Sequence, residues 1–351
     1  ICDPACGVGK FLLEAISNNL ENYYKFNGNT LENKIEICGY DKYSEDNSDR
    51  TIILAKANML IYLSKLLTEN PSQKCTKEIA KIFNKSFCLK RSNLGTLEKI
   101  DYDTYDVILT NPPYVVNGSS DIKTAAMATG NYNWNGLGIE ALFIEWIVKS
   151  LKADGTALIV IPDGILSNAA NTNLRNQILE ECEIQAIISL PINTFFGTPK
   201  KTFILNIKKK HKDDLGKTNK QSVPVFTYLC NSIGETLDTY RFDTNENDLE
   251  SAVNQYNLFK STQNKEKFKA ILYNEKEEPY FDKKCKCIPI EDFYNNASTS
   301  WFIDNYWSDE EKIELGFKSQ TNIMTIKELV DYIDEISADI EQYKEDLSCL
   351  L

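Results

Sequence analysis

Two consecutive prolines, Pro112 and Pro113, constrain the path of this chain more than any other pair of residues. They follow Tyr105-Asp106-Val107-Ile108-Leu109-Thr110, a run of β-forming residues that reads as a buried strand. Proline has no N–H and a fixed φ, so neither a strand nor a helix continues through the pair. The chain must leave the strand end as a stiff, extended turn, Asn111-Pro112-Pro113-Tyr114. That turn offers a side-chain amide, a bare carbonyl and an aromatic ring at one place. The Asn111 oxygen and the Pro112 carbonyl can each accept a hydrogen from an exocyclic amine, and Tyr114 can stack on a ring face. Taken alone, these four residues are equally compatible with a purely structural strand-end turn.

The rest of the chain supplies a frame. Ile1-Cys2-Asp3-Pro4-Ala5-Cys6-Gly7-Val8-Gly9-Lys10-Phe11 reads as a strand end, a glycine turn and a helix start, the helix continuing to Leu20. Glycines let a backbone approach a ligand closely, and the helix start offers free N–H groups. A dinucleotide fingerprint needs a third glycine near position 12, where this chain has Leu12, which argues against a dehydrogenase. Ile35 to Asp41 reads as a second strand ending in an acid, placed either to take a ribose diol or to cap a helix. One long helix is expected from Ile52 to Leu67, a polar loop from Pro71 to Lys77, and strands at Phe87–Leu89 and Asp106–Thr110. Val116 to Gly138 reads as a long loop of the kind that covers or binds a ligand. Helices at Ile139–Leu151 and Leu174–Cys182 alternate with strands at Thr156–Ile161 and Ile184–Leu190. Phe203–Ile207 and Val223–Leu229 read as a final antiparallel pair. Alternating strands and helices closed by a hairpin predict an α/β fold with a doubly wound, mostly parallel sheet.

Composition narrows the partners. The 351 residues suffice for one large domain or two, and the net charge is −12. A chain that grips DNA by itself usually carries a basic face, so charge segregation or a basic partner is expected if DNA is the substrate. The ten cysteines lack zinc-type spacing and the chain has one histidine, His211, so no metal site is expected and the thiols read as reduced. No apolar run approaches a membrane span, and no signal peptide is present, which predicts a cytoplasmic protein.

Asp3-Pro4-Ala5-Cys6-Gly7-Val8-Gly9, with Asn111-Pro112-Pro113-Tyr114 about a hundred residues later, resembles the N6-adenine DNA methyltransferases, most closely the modification subunit of type I restriction–modification systems. Gly39-Tyr40-Asp41, Leu142-Phe143, Gly155 to Pro162, Phe195-Phe196-Gly197-Thr198 and Thr202-Phe203-Ile204-Leu205 agree with it, so the likeness covers roughly residues 1–230. It implies a seven-stranded S-adenosylmethionine-dependent methyltransferase sheet with an antiparallel terminal hairpin. It implies that Asp3, Pro4, Ala5, Cys6, Gly7, Gly9 and Phe11 wrap S-adenosylmethionine, that Asp41 takes its ribose, and that Asn111 borders it. It further implies that Asn111, Pro112, Pro113 and Tyr114 hold and stack a flipped adenine from double-stranded DNA. The partners it implies are a specificity subunit and, beyond it, a restriction subunit. The chain departs from the family where Ser92-Asn93-Leu94 replaces an acid-bearing pattern and where Lys10 stands at an often small position. The family's upstream helical domain is absent, and the start at Ile1 without Met leads us to expect missing upstream residues. Two other functions fit the same turn: a glutamine or ribosomal-RNA methyltransferase, and a cofactor- and DNA-binding subunit silent in isolation.

Three segments are expected: a catalytic domain over 1–235, an irregular strap over 236–324, and a helix over 325–351. In the last, Leu329, Ile333, Ile336, Ile340, Tyr343, Leu347 and Leu350 alternate in steps of four and three, an acidic heptad seam suited to a partner helix.

Overall fold

A computed structural model describes residues 1–42, 49–114, 119–195, 200–262 and 281–318. The chain forms two compact units, Ile1–Tyr306 and Trp307–Leu351.

The first unit opens with β1 (Cys2–Asp3), α1 (Lys10–Ser17) and α2 (Leu20–Tyr23), then a small hairpin of β2 (Tyr24–Asn27) and β3 (Thr30–Asn33). Next come β4 (Cys38–Lys42), α3 (Arg50–Tyr62), α4 (Ser64–Glu69), α5 (Gln73–Ser86), β5 (Phe87–Lys90) and β6 (Tyr105–Thr110). They are followed by α6 (Ser119–Ala128), α7 (Gly138–Ser150), β7 (Leu151–Pro162), α8 (Asp163–Ser167), α9 (Thr172–Glu181) and β8 (Cys182–Ser189). The unit continues with β9 (Thr202–Lys209), β10 (Val225–Leu229), β11 (Ile233–Glu235), β12 (Asp243–Asn247), α10 (Asp248–Thr262) and β13 (Cys285–Ile288). Nine strands make one sheet in the order β13-β10-β8-β9-β7-β6-β1-β4-β5. Every pairing in it is parallel except those of β9 with β7 and β8 and that of β13 with β10.

The sheet and its helices bury three apolar clusters. In the largest, α7 is buried on nearly every side, with Ile144, Trp146 and Ile147 fully shielded. Large side chains of this kind contribute roughly 1.5–3 kcal/mol each on burial. The one fully buried charged residue of that helix, Glu145, is answered in full: it accepts from Asn133 N at 2.8 Å, Trp134 N at 3.1 Å and Lys149 Nζ at 2.5 Å. The segment entering α7 is thereby tied to the helix it precedes. A second cluster joins Leu12, Leu13, Ile16, Ala55, Met59, Ile79 and Phe87 around the first turn of the chain.

The α/β class and the mostly parallel sheet agree with the sequence; several details differ. The expected terminal antiparallel pair does not form. β9 inserts between β7 and β8, and β10 lies parallel to β8. The cause is apolarity on both faces: all five residues of β10 are buried, which suits a strand inside the sheet. The expected seven strands become nine, and one of the additions comes from the stretch read as a strap, because β13 joins the edge beside β10. The polar loop expected from Pro71 shrinks to a helix start. Ser72 Oγ accepts from Cys75 N at 3.2 Å, and Cys75 and Ile79 then fall one turn apart on the buried face of α5. The expected long loop before α7 holds α6. The long helix expected over 52–67 breaks at Leu63 into α3 and α4.

In the second unit, a short helix (Asp309–Glu314) starts on a capping box in which Ser308 Oγ accepts from Glu311 N and Glu311 Oε2 accepts from Ser308 N. The heptad segment 325–351 and the Phe196-Gly197-Thr198 stretch lie outside the described residues. Among the described residues, no helix is long and apolar enough to cross a membrane, and no group of three or more His, Cys, Asp or Glu residues could hold a metal ion.

Candidate active site

The chain order sets where a ligand can lie. From β1 the chain builds outward through β4 and β5, then returns to lay β6 on the other side of β1. Neighbouring connections therefore diverge at the β1/β6 boundary, and a crevice opens beyond the carboxyl ends of these strands. A cavity of about 370 Å³ occupies it. Its wall takes Pro4, Ala5 and Gly7 from the turn after β1, Asp41 and Lys42 from the end of β4, and Asn111 and Pro113 from the turn after β6. Asn93, Leu94, Thr96 and Leu97 follow β5, and Ile122, Ile139 and Phe143 come from α6 and α7.

Glycine is required at two positions here. Gly9 has φ 76°, and a Cβ built on it would stand 2.7 Å from the Phe87 ring. Gly39 presses on the same ring, with a hypothetical Cβ 2.5 Å from Phe87 Cδ1. The Phe87 ring thus fills a niche that only two glycines leave open, and it locks the turn against β4 and β5. The turn is fastened further by Cys6 N donating to Tyr40 O at 2.8 Å and by Thr96 Oγ1 donating to Pro4 O at 2.7 Å.

Asp3 lies beneath this turn, 1 % exposed, and accepts from Ala5 N at 3.0 Å. Burial pushes its carboxyl up to about 7, and the Thr110 hydroxyl and the Ala5 N–H offset that only in part. Asp41 is half-buried and accepts from Lys42 N at 2.8 Å, and burial raises its pKa as well. In the turn after β6, Pro112 is buried, Pro113 is exposed, and Asn111 and Tyr114 are half-buried. The Tyr114 hydroxyl donates to Asn111 Oδ1 at 2.6 Å.

The structure brings the two sequence motifs to one cavity. Pro4, Ala5, Gly7, Asp41, Asn111 and Pro113 line it. Asp3, Cys6 and Gly9 are buried outside its wall, and Phe11 is 42 % exposed on α1. At the Ser92-Asn93-Leu94 departure, Asn93 faces the cavity, while Ser92 Oγ bonds Gly95 O at 3.5 Å within its own turn. Leu97 and Ile122 carried no signal of this role, because each reaches the cavity through packing remote in sequence. Thr96 was equally silent, since its partner Pro4 lies 92 residues away.

The sequence matches the family model described as N-6 DNA Methylase over residues 1–311. It is 28 % identical over 200 residues to the Type I restriction enzyme EcoEI methylase subunit of Escherichia coli, covering 56 % of this chain and 34 % of that protein. It is 24 % identical to the Type I restriction enzyme MpnII methylase subunit of Mycoplasma pneumoniae, across 99 % of this chain and 55 % of that protein. The chain thus spans between a third and just over half of these two relatives. Its fold is similar to that of a chain solved in a study of complex assembly and conformational transition of the type I R-M system, with TM-score 0.56 and 17 % identity over 100 % of this chain and 61 % of the other. With the family model matching most of its length, and both sequence motifs facing one cavity, the chain belongs to the N-6 DNA Methylase family.

Proposed function

We propose that this chain transfers a methyl group from S-adenosylmethionine to N6 of adenine in DNA, as the modification part of a type I restriction–modification system. The observation that carries this reading is that Asn111 and Pro113 of the turn after β6 line the same cavity as Asp41 and Pro4, Ala5 and Gly7, with Pro112 and Tyr114 beside them in the turn but outside the wall. The relatives' names support the system and the presence of further subunits.

The residues fit the cofactor. A volume of about 370 Å³ is within the range of small-molecule sites. Asp41, in the cavity wall, can accept from both hydroxyls of a ribose, and Leu94, Leu97, Ile139 and Phe143 can form apolar walls for a flat ring. Asn93 can both accept from and donate to a ring edge. Gly7, with φ 50°, leaves room for the ligand to approach the backbone.

When bound, S-adenosylmethionine supplies an electrophilic methyl group on a sulfonium centre. The protein's task is to make an aromatic amine nucleophilic, since the amine's lone pair is delocalised into its ring. Asn111 Oδ1 and the Pro112 carbonyl, each accepting one amine hydrogen, favour a pyramidal nitrogen whose lone pair points out of the ring plane. Their fixed dipoles also stabilise positive charge as it grows on that nitrogen. Tyr114 stacks on the base and keeps it in line, and much of the rate comes from this positioning.

Asp41→Ala is expected to weaken cofactor binding by about ten- to a hundredfold, the loss of roughly 1.5–3 kcal/mol in charge-assisted hydrogen bonds. Calorimetric titration with S-adenosylhomocysteine measures it, and an unchanged affinity would move the ribose acid elsewhere. A specificity subunit is the proposed source of sequence reading, because the chain carries net charge −12. The nine cysteines among the described residues are free thiols, which suits a cytoplasmic setting. The whole reading is tested by incubating the chain, with and without its co-expressed specificity subunit, with methyl-labelled cofactor and unmodified DNA. Label in N6-methyladenine is expected from the complex. Label found only in protein or RNA overturns the reading in favour of the other methyltransferase class.

A further inference from the structure

The two acceptors in the Asn111–Tyr114 turn are in different states. Asn111 Oδ1 is taken by the Tyr114 hydroxyl at 2.6 Å. The Pro112 carbonyl accepts no hydrogen bond from any described residue. The short distance marks a well-formed O–H···O bond, and an amide carbonyl can only accept, so the hydroxyl is the donor. Burial, with Glu140 as a lesser contributor, holds the Tyr114 phenol above its ordinary value, so it keeps the proton it donates.

Geometry makes this contact consequential. The partners are three residues apart, and the intervening backbone is stiffened by Pro112 and Pro113. The turn has little freedom to shift as a whole, so the bond is broken by rotating one of the two side chains, Tyr114 or Asn111. While the hydroxyl stays on Asn111, the phenol ring is held against the acceptor that an incoming amine needs.

We propose that the Tyr114 hydroxyl occupies the amine acceptor of Asn111 in the resting protein, and that an incoming base must compete its own N–H against that hydroxyl for it. The proposal rests on the assignment of this turn to an amine-bearing ring. Tyr114 then has two opposed parts: its ring favours the base by stacking, and its hydroxyl competes with the base for Asn111. The exchange leaves Asn111 with one hydrogen bond before and after for an amine-bearing ring. A ring without an N–H donor at that point would leave the oxygen unpaired, which a partly buried site penalises.

Adenosine is the probe, titrated by calorimetry into the full chain saturated with S-adenosylhomocysteine, so that only the base site remains to be filled. Tyr114→Phe keeps the ring and removes the competitor, and it is expected to tighten adenosine binding roughly 2- to 10-fold, the worth of one neutral hydrogen bond. Asn111→Ala is expected to weaken adenosine, and the gain from Tyr114→Phe is expected to vanish on that background. Unchanged or weaker binding by Tyr114→Phe overturns the proposal, as does a gain that persists without Asn111. If Asn111→Ala alone leaves adenosine binding untouched, the assignment of the turn to a base fails, and the gate fails with it.

Discussion

Asn111→Ala is expected to lower the single-turnover rate of methyl transfer by at least about two to three orders of magnitude, the usual cost of removing one oriented dipole aimed at developing charge. The loss should appear in the chemical step. One of the two acceptors disappears, so the amine is no longer drawn toward a pyramidal nitrogen, and the base also loses part of its alignment. Cofactor affinity should change much less, because Asp41, the Pro4–Gly7 turn and the apolar walls all remain. Folding should survive as well, since Asn111 is only half-buried and the prolines after it keep the course of the turn. The measurement pairs a rapid-quench assay on the assembled complex with calorimetry of S-adenosylhomocysteine. Transfer persisting at the parental rate would remove Asn111 from the chemistry. An equal loss of cofactor affinity would instead make it a cofactor residue alone.

What could be read ahead of the structure follows from how local each cause is. The turn after β6 was legible because Pro112 and Pro113 forbid every regular alternative within two residues. The helices α1, α7 and α9 were legible through apolar periodicity. The place of β9 between β7 and β8 was hidden, since a strand buried on both faces carries no alternation to tell interior from edge. α6 was hidden by a weakly apolar sequence in which Ala126 alone is buried. The β2–β3 hairpin did leave a trace in Asn27-Gly28-Asn29, where Gly28 takes φ 62°, but its strands are only four residues each. In the site, the glycines announced a close approach, yet the ring they accommodate, Phe87, arrives from a strand far along the chain. Such pairings are set by register, which single residues do not encode.

Asp3→Asn is expected to stabilise the protein above neutral pH by up to about 4 kcal/mol. The side chain is 1 % exposed, and burial pushes its carboxyl from the ordinary 3.8 to about 7. Unfolded, the group loses its proton near 3.8; folded, it holds it to about 7, so between those values the native state binds more protons. Stability therefore falls as pH rises from about 4 to about 7 and levels off beyond, by about 3 pH units at roughly 1.4 kcal/mol each. Asparagine keeps an oxygen for the Ala5 N–H, 3.0 Å away in the parent, and never ionises, so this slope should vanish. Urea midpoints for the two proteins should nearly coincide at pH 4 and separate at pH 8, with the variant higher. A variant less stable at pH 8 would mean that the carboxylate is held by partners stronger than its desolvation. The same variant also probes function. A buried acid beneath the Pro4–Gly7 turn that opposes folding at neutral pH calls for a compensating use, and a cationic ligand in the cavity would supply one by favouring its ionised form. Gained stability at pH 8 together with weakened S-adenosylmethionine binding would show that Asp3 is retained for the ligand, whereas gained stability with unchanged affinity would leave it a structural residue of the turn.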